Sequence, residues 1–124
     1  MKGTWIFNNA PLITAGGAVG GKDEKNGPLA AYFDSFFADD VTQANSYEEA
    51  EGFFLSRAAQ IALNKASLSS GDIDLFIAGD LMNQITSATY TAAYLNAPYL
   101  GIFSACATVC EALAMGGLAV SSGK

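Results

Sequence analysis

The residues best suited to chemistry lie in one short stretch near the end of the sequence, Tyr99–Gly117. It opens with an apolar, β-forming run, Tyr99–Phe103, and continues as an alanine- and leucine-rich helical pattern. A strand should therefore turn directly into a helix, with Cys106 at or near the corner. Backbone N–H groups point outward at such a corner and the helix dipole is positive, which favours a thiolate or a bound anion.

Two interpretations of Cys106 stay open. A free cysteine is more often a small core residue than a reactive group. A strand-to-helix corner with small neighbours, here Ser104 and Thr108, is nevertheless the geometry that exposes a nucleophile over backbone N–H groups. Cys110 lies one helical turn further on and is expected to pack in the core. Glu111 is either a first-turn acid or a buried hydrogen-bond acceptor.

The sequence restricts the available chemistry. It contains no histidine, so the usual zinc sites and any Cys–His or Ser–His pair made within this chain are excluded. Two cysteines four residues apart on a helix place their Cβ atoms about 5–6 Å apart, too far for an unstrained disulfide. We therefore expect reduced thiols, and we predict neither a bound metal nor a cofactor. Asp39-Asp40 resembles a calcium ligand pair, but its spacing matches no EF-hand loop.

The composition limits the partners. The net charge is −6, with only six lysines and arginines, which argues against nucleic acid and against electrostatic docking on an anionic membrane. Charged residues make up only 15% of the chain, so much of it is expected to be buried. Tyr99–Val120 is apolar enough to raise the question of a membrane span. Its glycines, hydroxyl residues and Glu111 favour a buried strand and helix instead, so no transmembrane segment is predicted.

Two helices and a strand are predicted to support the corner. Ser46 and Glu49 have the spacing of a capping box, which begins a helix that runs to about Ala66. One apolar stripe follows this helix, formed by Ala50, Phe53, Phe54, Ala58, Ile61 and Ala62. Asp72–Gly79 has the pattern of a strand buried on both faces towards its end.

Polar residues follow that strand at its carboxyl end, where open α/β sheets bind ligands. They include Asp80 and Asn83. The alternative is that Asp80 caps the next helix, predicted over Ile85–Leu95. Gly16–Lys22 partly matches a phosphate-binding loop, but Asp23 stands where Ser or Thr should hold magnesium. No helix is expected to start there, so that interpretation is rejected.

Strands alternate with helices along the whole chain, which predicts an α/β protein with a layered sheet. There is no linker and no internal repeat. The last predicted helix is the most apolar, and only Ser121–Lys124 follow it. We therefore expect residues 1–124 to be a fragment or truncated form of a longer chain.

Several of these pieces are familiar. Gly101–Thr108 and Leu68–Asp74 resemble the nucleophile region and a helix-to-strand junction of the thiolase and ketoacyl-synthase superfamily. More specifically, the chain resembles the stage V sporulation protein AD family of spore-forming Firmicutes. The matching pieces are Gly27–Leu29, Tyr32–Asp34, Ser46–Glu51, Ala78–Gln84, Ser104–Thr108 and Cys110–Leu113.

The resemblance implies a thiolase-like fold of α-β-α-β-α layers, of which this chain is the first part. It implies a non-enzymatic protein that binds dipicolinic acid, or its calcium chelate, for uptake into the developing spore. The partners implied are proteins of a spore channel made from the same operon, with a peripheral location at the forespore or spore inner membrane. A homodimer is expected by analogy with the superfamily.

The resemblance places Cys106 at the thiolase nucleophile position. A helix N-terminus beside Ser104 and Thr108 suits a carboxylate. The expected ligand-binding residues are therefore Cys106, Ser104, Thr108, Asp80 and Asn83. The alternative function is an acyl-transfer enzyme with Cys106 as nucleophile. A third possibility is an α/β fragment whose cysteines only pack.

Overall fold

Residues 3–38, 44–81 and 85–123 are described by a computed structural model. The strands are β1 (Val19–Gly20), β2 (Ser35–Phe36), β3 (Phe76–Ala78) and β4 (Tyr99–Gly101), and the helices are α1 (Lys22–Lys25), α2 (Tyr47–Ala66), α3 (Thr86–Leu95) and α4 (Thr108–Ser121). Single 3₁₀ turns are formed by Ala30–Tyr32, Ser70–Asp72 and Ala105–Ala107. The predicted mixed α/β class is confirmed. The predicted Asn83 site and the Asp39-Asp40 pair lie outside the described residues.

The strands form two parallel pairs. In the first, Val19 lies opposite Ser35. In the second, Phe76 lies opposite Tyr99 and Ala78 opposite Gly101, so that β3, α3 and β4 form a crossover unit. These strands are shorter than the sequence predicts.

A turn before β3 excludes the first residue of the predicted strand over 72–79, which is Asp72. Both the backbone N–H and the hydroxyl of Ser69 donate hydrogen bonds to the Asp72 carboxylate, at 2.8 and 2.6 Å. This closes a 3₁₀ turn over Ser70–Asp72. Residues held in that turn cannot extend, and the first paired residue is Phe76.

The predicted bounds of α2 are confirmed. The Ser46 hydroxyl accepts a hydrogen bond from the Glu49 amide at 3.2 Å. The Glu49 carboxylate reaches one residue further back than in a standard capping box, to the backbone and side-chain amides of Asn45, at 2.6 and 2.9 Å. The helix ends at Ser67, which adopts a left-handed conformation with φ 57°.

Small side chains form the core. The buried apolar residues of the described chain are Ala50, Ala78, Ala88, Ala92, Leu95 and Ile102. The expectation that much of the chain is buried is wrong for the described part, where many large side chains are exposed, including Phe53 of the predicted stripe. The accessible surface is 8434 Å², against about 6,300 Å² for a typical monomer of this mass. Apolar faces therefore stay uncovered.

A helix does begin at Lys22, contrary to the sequence prediction. It is the single turn α1, which ends at Asn26. The Gly21 amide at its start donates to the Glu24 carboxylate at 2.9 Å. The Glu24 carboxylate thus accepts from an amide that a phosphate-binding loop would leave for phosphate. This is a second physical reason to reject a phosphate site here.

The apolar stretch over 99–120 divides into β4, a turn and α4. None of the described helices is both long enough and apolar enough to cross a membrane.

Candidate functional site

The candidate site lies at the edge of the sheet where β3 and β4 both end. Because the strands are parallel, their carboxyl ends share one edge. Gly79 follows β3 and packs directly on the corner: a Cβ at this position would overlap the Ile102 carbonyl oxygen and lie 3.0 Å from Thr108 Cγ2. The residue after Gly79 is Asp80. The fold therefore brings the loop after β3 against the start of α4.

The corner after β4 has the predicted strand–turn–helix form. Ala105 adopts a left-handed conformation with φ 46°, which is costly for a residue with a Cβ. The Ala107 amide donates to the Ser104 carbonyl at 2.9 Å and closes the 3₁₀ turn that contains Cys106. α4 begins at Thr108, and no side chain caps it. The Thr108 amide donates to the Ala105 carbonyl of the preceding turn, and no side chain of the described residues caps the amides that follow it.

Ser104 is already engaged. Its hydroxyl makes a short hydrogen bond to the Glu111 carboxylate. Its amide donates to Thr108 Oγ1 at 3.3 Å. Glu111 is thus both an acid in the first turn of α4 and the acceptor for a corner hydroxyl. Thr108 keeps its own O–H for donation, whereas Ser104 does not.

Both cysteines are free thiols and both are exposed. The prediction that Cys110 packs in the core is wrong. The first turns of α4 carry it on an uncovered face together with Val109, which is 62% exposed. Cys106 is accessible at the corner, as an exposed ligand-binding or nucleophilic position requires.

Asp80 is buried, with 3% of its surface exposed. Its Oδ2 atom accepts a hydrogen bond from the Ala88 amide at 3.1 Å, so the prediction that it caps the next helix is confirmed. Its Oδ1 atom has no hydrogen-bond partner among the described residues. An open oxygen on a buried carboxylate is energetically costly, and it suits a donor or a cation.

Tyr99 belongs to this site, although the sequence analysis did not single it out. Its hydroxyl donates to the Ala78 carbonyl at 3.3 Å. Burial raises the pKa of the phenol; the Asp80 charge adds to this rise, and a hydrogen bond with Thr89 opposes it. Tyr99 is therefore a neutral donor. Only the register of β3 and β4 places it beside Asp80, and no local pattern could have revealed that.

These features define a mixed α/β protein with a candidate anion-binding corner at the carboxyl edge of a parallel strand pair. The family model described as "Stage V sporulation protein AD" matches residues 1–124. A curated relative, the stage V sporulation protein AD of Bacillus subtilis (strain 168), is 38% identical over 122 residues, which is 98% of this chain and 36% of the relative. The chain belongs to the stage V sporulation protein AD family, as the resemblance in the sequence implied. It spans about a third of the relative's length.

Proposed function

We propose that this chain forms part of a binding site for dipicolinic acid in a sporulation protein that takes it into the developing spore. The observation that carries the proposal is the start of α4, which no side chain caps and which lies beside the exposed Cys106 at the sheet edge. Dipicolinate is a small planar dianion. A carboxylate at this corner would accept from the Thr108 hydroxyl and from amides of the first turn of α4 other than that of Thr108, which donates to the Ala105 carbonyl.

The acids around the corner favour the calcium chelate over the free dianion. Glu111 lies in the first turn of α4, and Asp80 follows Gly79, which packs on the corner. Both carboxylates would repel an uncompensated dianion. Asp80 Oδ1, which is buried and has no hydrogen-bond partner among the described residues, suits a cation, and calcium prefers carboxylate oxygens. Of the other predicted contacts, Cys106 faces the ligand from the turn and Ser104 acts mainly through its bond to Glu111.

The complete fold, the location and the partners of the protein are also proposals. We propose a thiolase-like fold of which this chain is the first part, a peripheral position at the spore inner membrane, association with channel proteins of the same operon, and a homodimer. The family membership and the exposed apolar faces of the described residues support these assignments.

Calorimetric titration of the full-length protein with dipicolinate, with and without calcium, tests the binding proposal. We expect saturable heat that is larger with calcium. Thr108→Val should weaken binding about fivefold, the value of one hydrogen bond, whereas Thr14→Val, at an exposed threonine outside the site, should not. Absence of heat under both conditions would contradict the proposal.

The second candidate is an acyl-transfer enzyme. The exposed thiol of Cys106, next to the strained backbone of Ala105, favours it. Because the chain has no histidine, the base would have to come from elsewhere. Labelling of the wild-type protein by a radioactive acyl-CoA, abolished by Cys106→Ala but not by Cys110→Ala, would support the enzyme. No labelling would support the binding protein.

A further inference from the structure

A cavity that is open to solvent on one side lies between α2 and α3, away from the corner. Its volume is about 960 Å³, in the range of small-molecule sites, and none of its lining residues belongs to β3, β4 or α4. Aromatic side chains form much of its wall: Phe37, Phe53, Tyr90 and Tyr94.

The two helices that form the cavity are held together by polar pairs on its lining. The hydroxyls of Ser56 and Thr91 are 3.3 Å apart, and Gln60 Nε2 donates to the Tyr94 hydroxyl at 2.9 Å. The Ser87 hydroxyl, also on the lining, donates to the Glu48 carbonyl at 2.7 Å. These bonds fix the spacing of the walls, so the cavity is formed before any ligand enters.

One cation faces this cavity. Arg57 is the single arginine of the sequence and lies on the lining. Within the described part of the chain it makes neither an ion pair nor a hydrogen bond; the ion pair found there joins Lys65 to Asp34. A guanidinium offers a planar fork of donors that matches a carboxylate, and it also stacks on aromatic rings.

The other end of the cavity is acidic. Glu48 and Glu49 line it in the first turn of α2. Glu48 and Arg57 are nine positions apart, which is about 13.5 Å along the helix axis. An anion is therefore favoured at the Arg57 end and repelled at the other. A ligand with negative charge at both ends would meet Glu48 and Glu49.

We propose that the α2–α3 cavity binds a small aromatic monocarboxylate, with its carboxylate on Arg57 and its ring among Phe53, Tyr90 and Tyr94. Charge complementarity at one end and the aromatic wall between the ends determine this class of ligand. The cavity is a second site, which does not depend on the corner.

Titration of the full-length protein with a matched pair of probes tests this proposal. 3-Phenylpropionate and 3-phenylpropylamine share a skeleton and carry opposite charges. We expect saturable binding of the acid and binding of the amine that is weaker by about tenfold or more. Equal affinities for the two probes, or no saturable binding of the acid, would overturn the proposal.

Variants locate the binding. Arg57→Gln should weaken phenylpropionate binding about tenfold, whereas Lys22→Gln, which removes an equal charge from exposed α1, should leave it unchanged. Tyr90→Ala should also weaken it, whereas Tyr32→Ala, at a tyrosine 80% exposed outside the cavity, should not. All four side chains are exposed, so the variants should fold, and circular dichroism checks this. Equal binding by Arg57→Gln and Lys22→Gln would contradict the assignment.

The two proposals fail separately. Thr108→Val should leave phenylpropionate binding intact, and Arg57→Gln should leave dipicolinate binding intact. Dipicolinate binding without phenylpropionate binding overturns the cavity proposal alone, and the reverse result overturns the corner proposal alone.

Discussion

The carboxylate of Asp80 accepts a hydrogen bond from the backbone amide of Ala88 at 3.1 Å, across the segment that joins β3 to α3. The first amides of a helix need acceptors from outside the helix. Ile85, at the N-cap of α3, has a left-handed conformation and offers no side-chain acceptor. Asp80 therefore both begins α3 and fixes it to the end of β3, while its second oxygen is buried without a hydrogen-bond partner among the described residues.

Replacement of Asp80 by alanine should destabilise the fold. It leaves the buried Ala88 amide without a partner, which costs about 1–3 kcal/mol in free energy of unfolding. Asp80→Asn keeps an acceptor and should cost less. Urea unfolding followed by circular dichroism measures both, with Asp74→Ala, at an exposed acid, as the control. Wild-type stability in Asp80→Ala would contradict the capping role.

The ion pair between Asp34 and Lys65 should make stability depend on pH. Lys65 Nζ lies 2.6 Å from Asp34 Oδ1 and donates to the Gly16 carbonyl at 2.9 Å, and the Ala18 amide donates to Asp34 Oδ2 at 2.9 Å. These contacts fasten the N-terminal segment to α2.

The hydrogen bond from Lys65, followed by that from Ala18, lowers the pKa of Asp34 below its usual 3.8. Because the folded-state pKa is the lower one, this contribution is complete above the unfolded-state pKa and is lost as pH falls through the folded-state value. Asp34→Asn should therefore be less stable than wild type near neutral pH, and the difference should shrink in acid. Thermal unfolding between about pH 6 and pH 2 measures this. A stability difference that does not change with pH would refute this prediction. The same pH-dependent difference in Asp23→Asn would also refute it.

Alanine substitutions at Gly79 and Gly116 together test how β3 packs on the corner. Alanine at Gly79 would collide with the Ile102 carbonyl and should cost about 1–3 kcal/mol. Alanine at Gly116, in α4, has Ile77 Cδ1 as its nearest neighbour at 3.8 Å and should add about 0.5–1 kcal/mol of helix stability. Chemical unfolding compares the two. Equal effects would show that β3 does not pack on the corner as described.

Both thiols should react with Ellman's reagent in the native protein, because Cys106 and Cys110 are both exposed. Cys106→Ser and Cys110→Ser should each retain one reactive thiol. If Cys110 reacts only after unfolding, the uncovered face of α4 is covered in the full-length protein, and this prediction is wrong for that protein.

Local patterns were enough to predict α2, α3 and the corner, but not the single turn of α1. Ser46 and Glu49 set the start of α2, a turn at Ser67 ends it, and Asn96 ends α3 in a left-handed conformation. These outcomes depend on residues a few positions apart, and such short-range interactions are legible in sequence. The family was also evident from short motifs in a fixed order, and the family match over residues 1–124 confirms it.

Strand lengths, burial and the contacts of the site were decided only in three dimensions. A hydrogen bond between Ser69 and Asp72 keeps Asp72 in a turn instead of the strand, and the register of β3 with β4 sets Tyr99 near Asp80. The uncovered face of Cys110 and the cavity lined by Arg57 depend on which helix faces meet another element. The sequence by itself determined where α2 and α3 begin and end and where the thiol corner falls. The tertiary structure decided which side chains meet across the sheet edge and between α2 and α3, because those contacts join residues far apart in the chain.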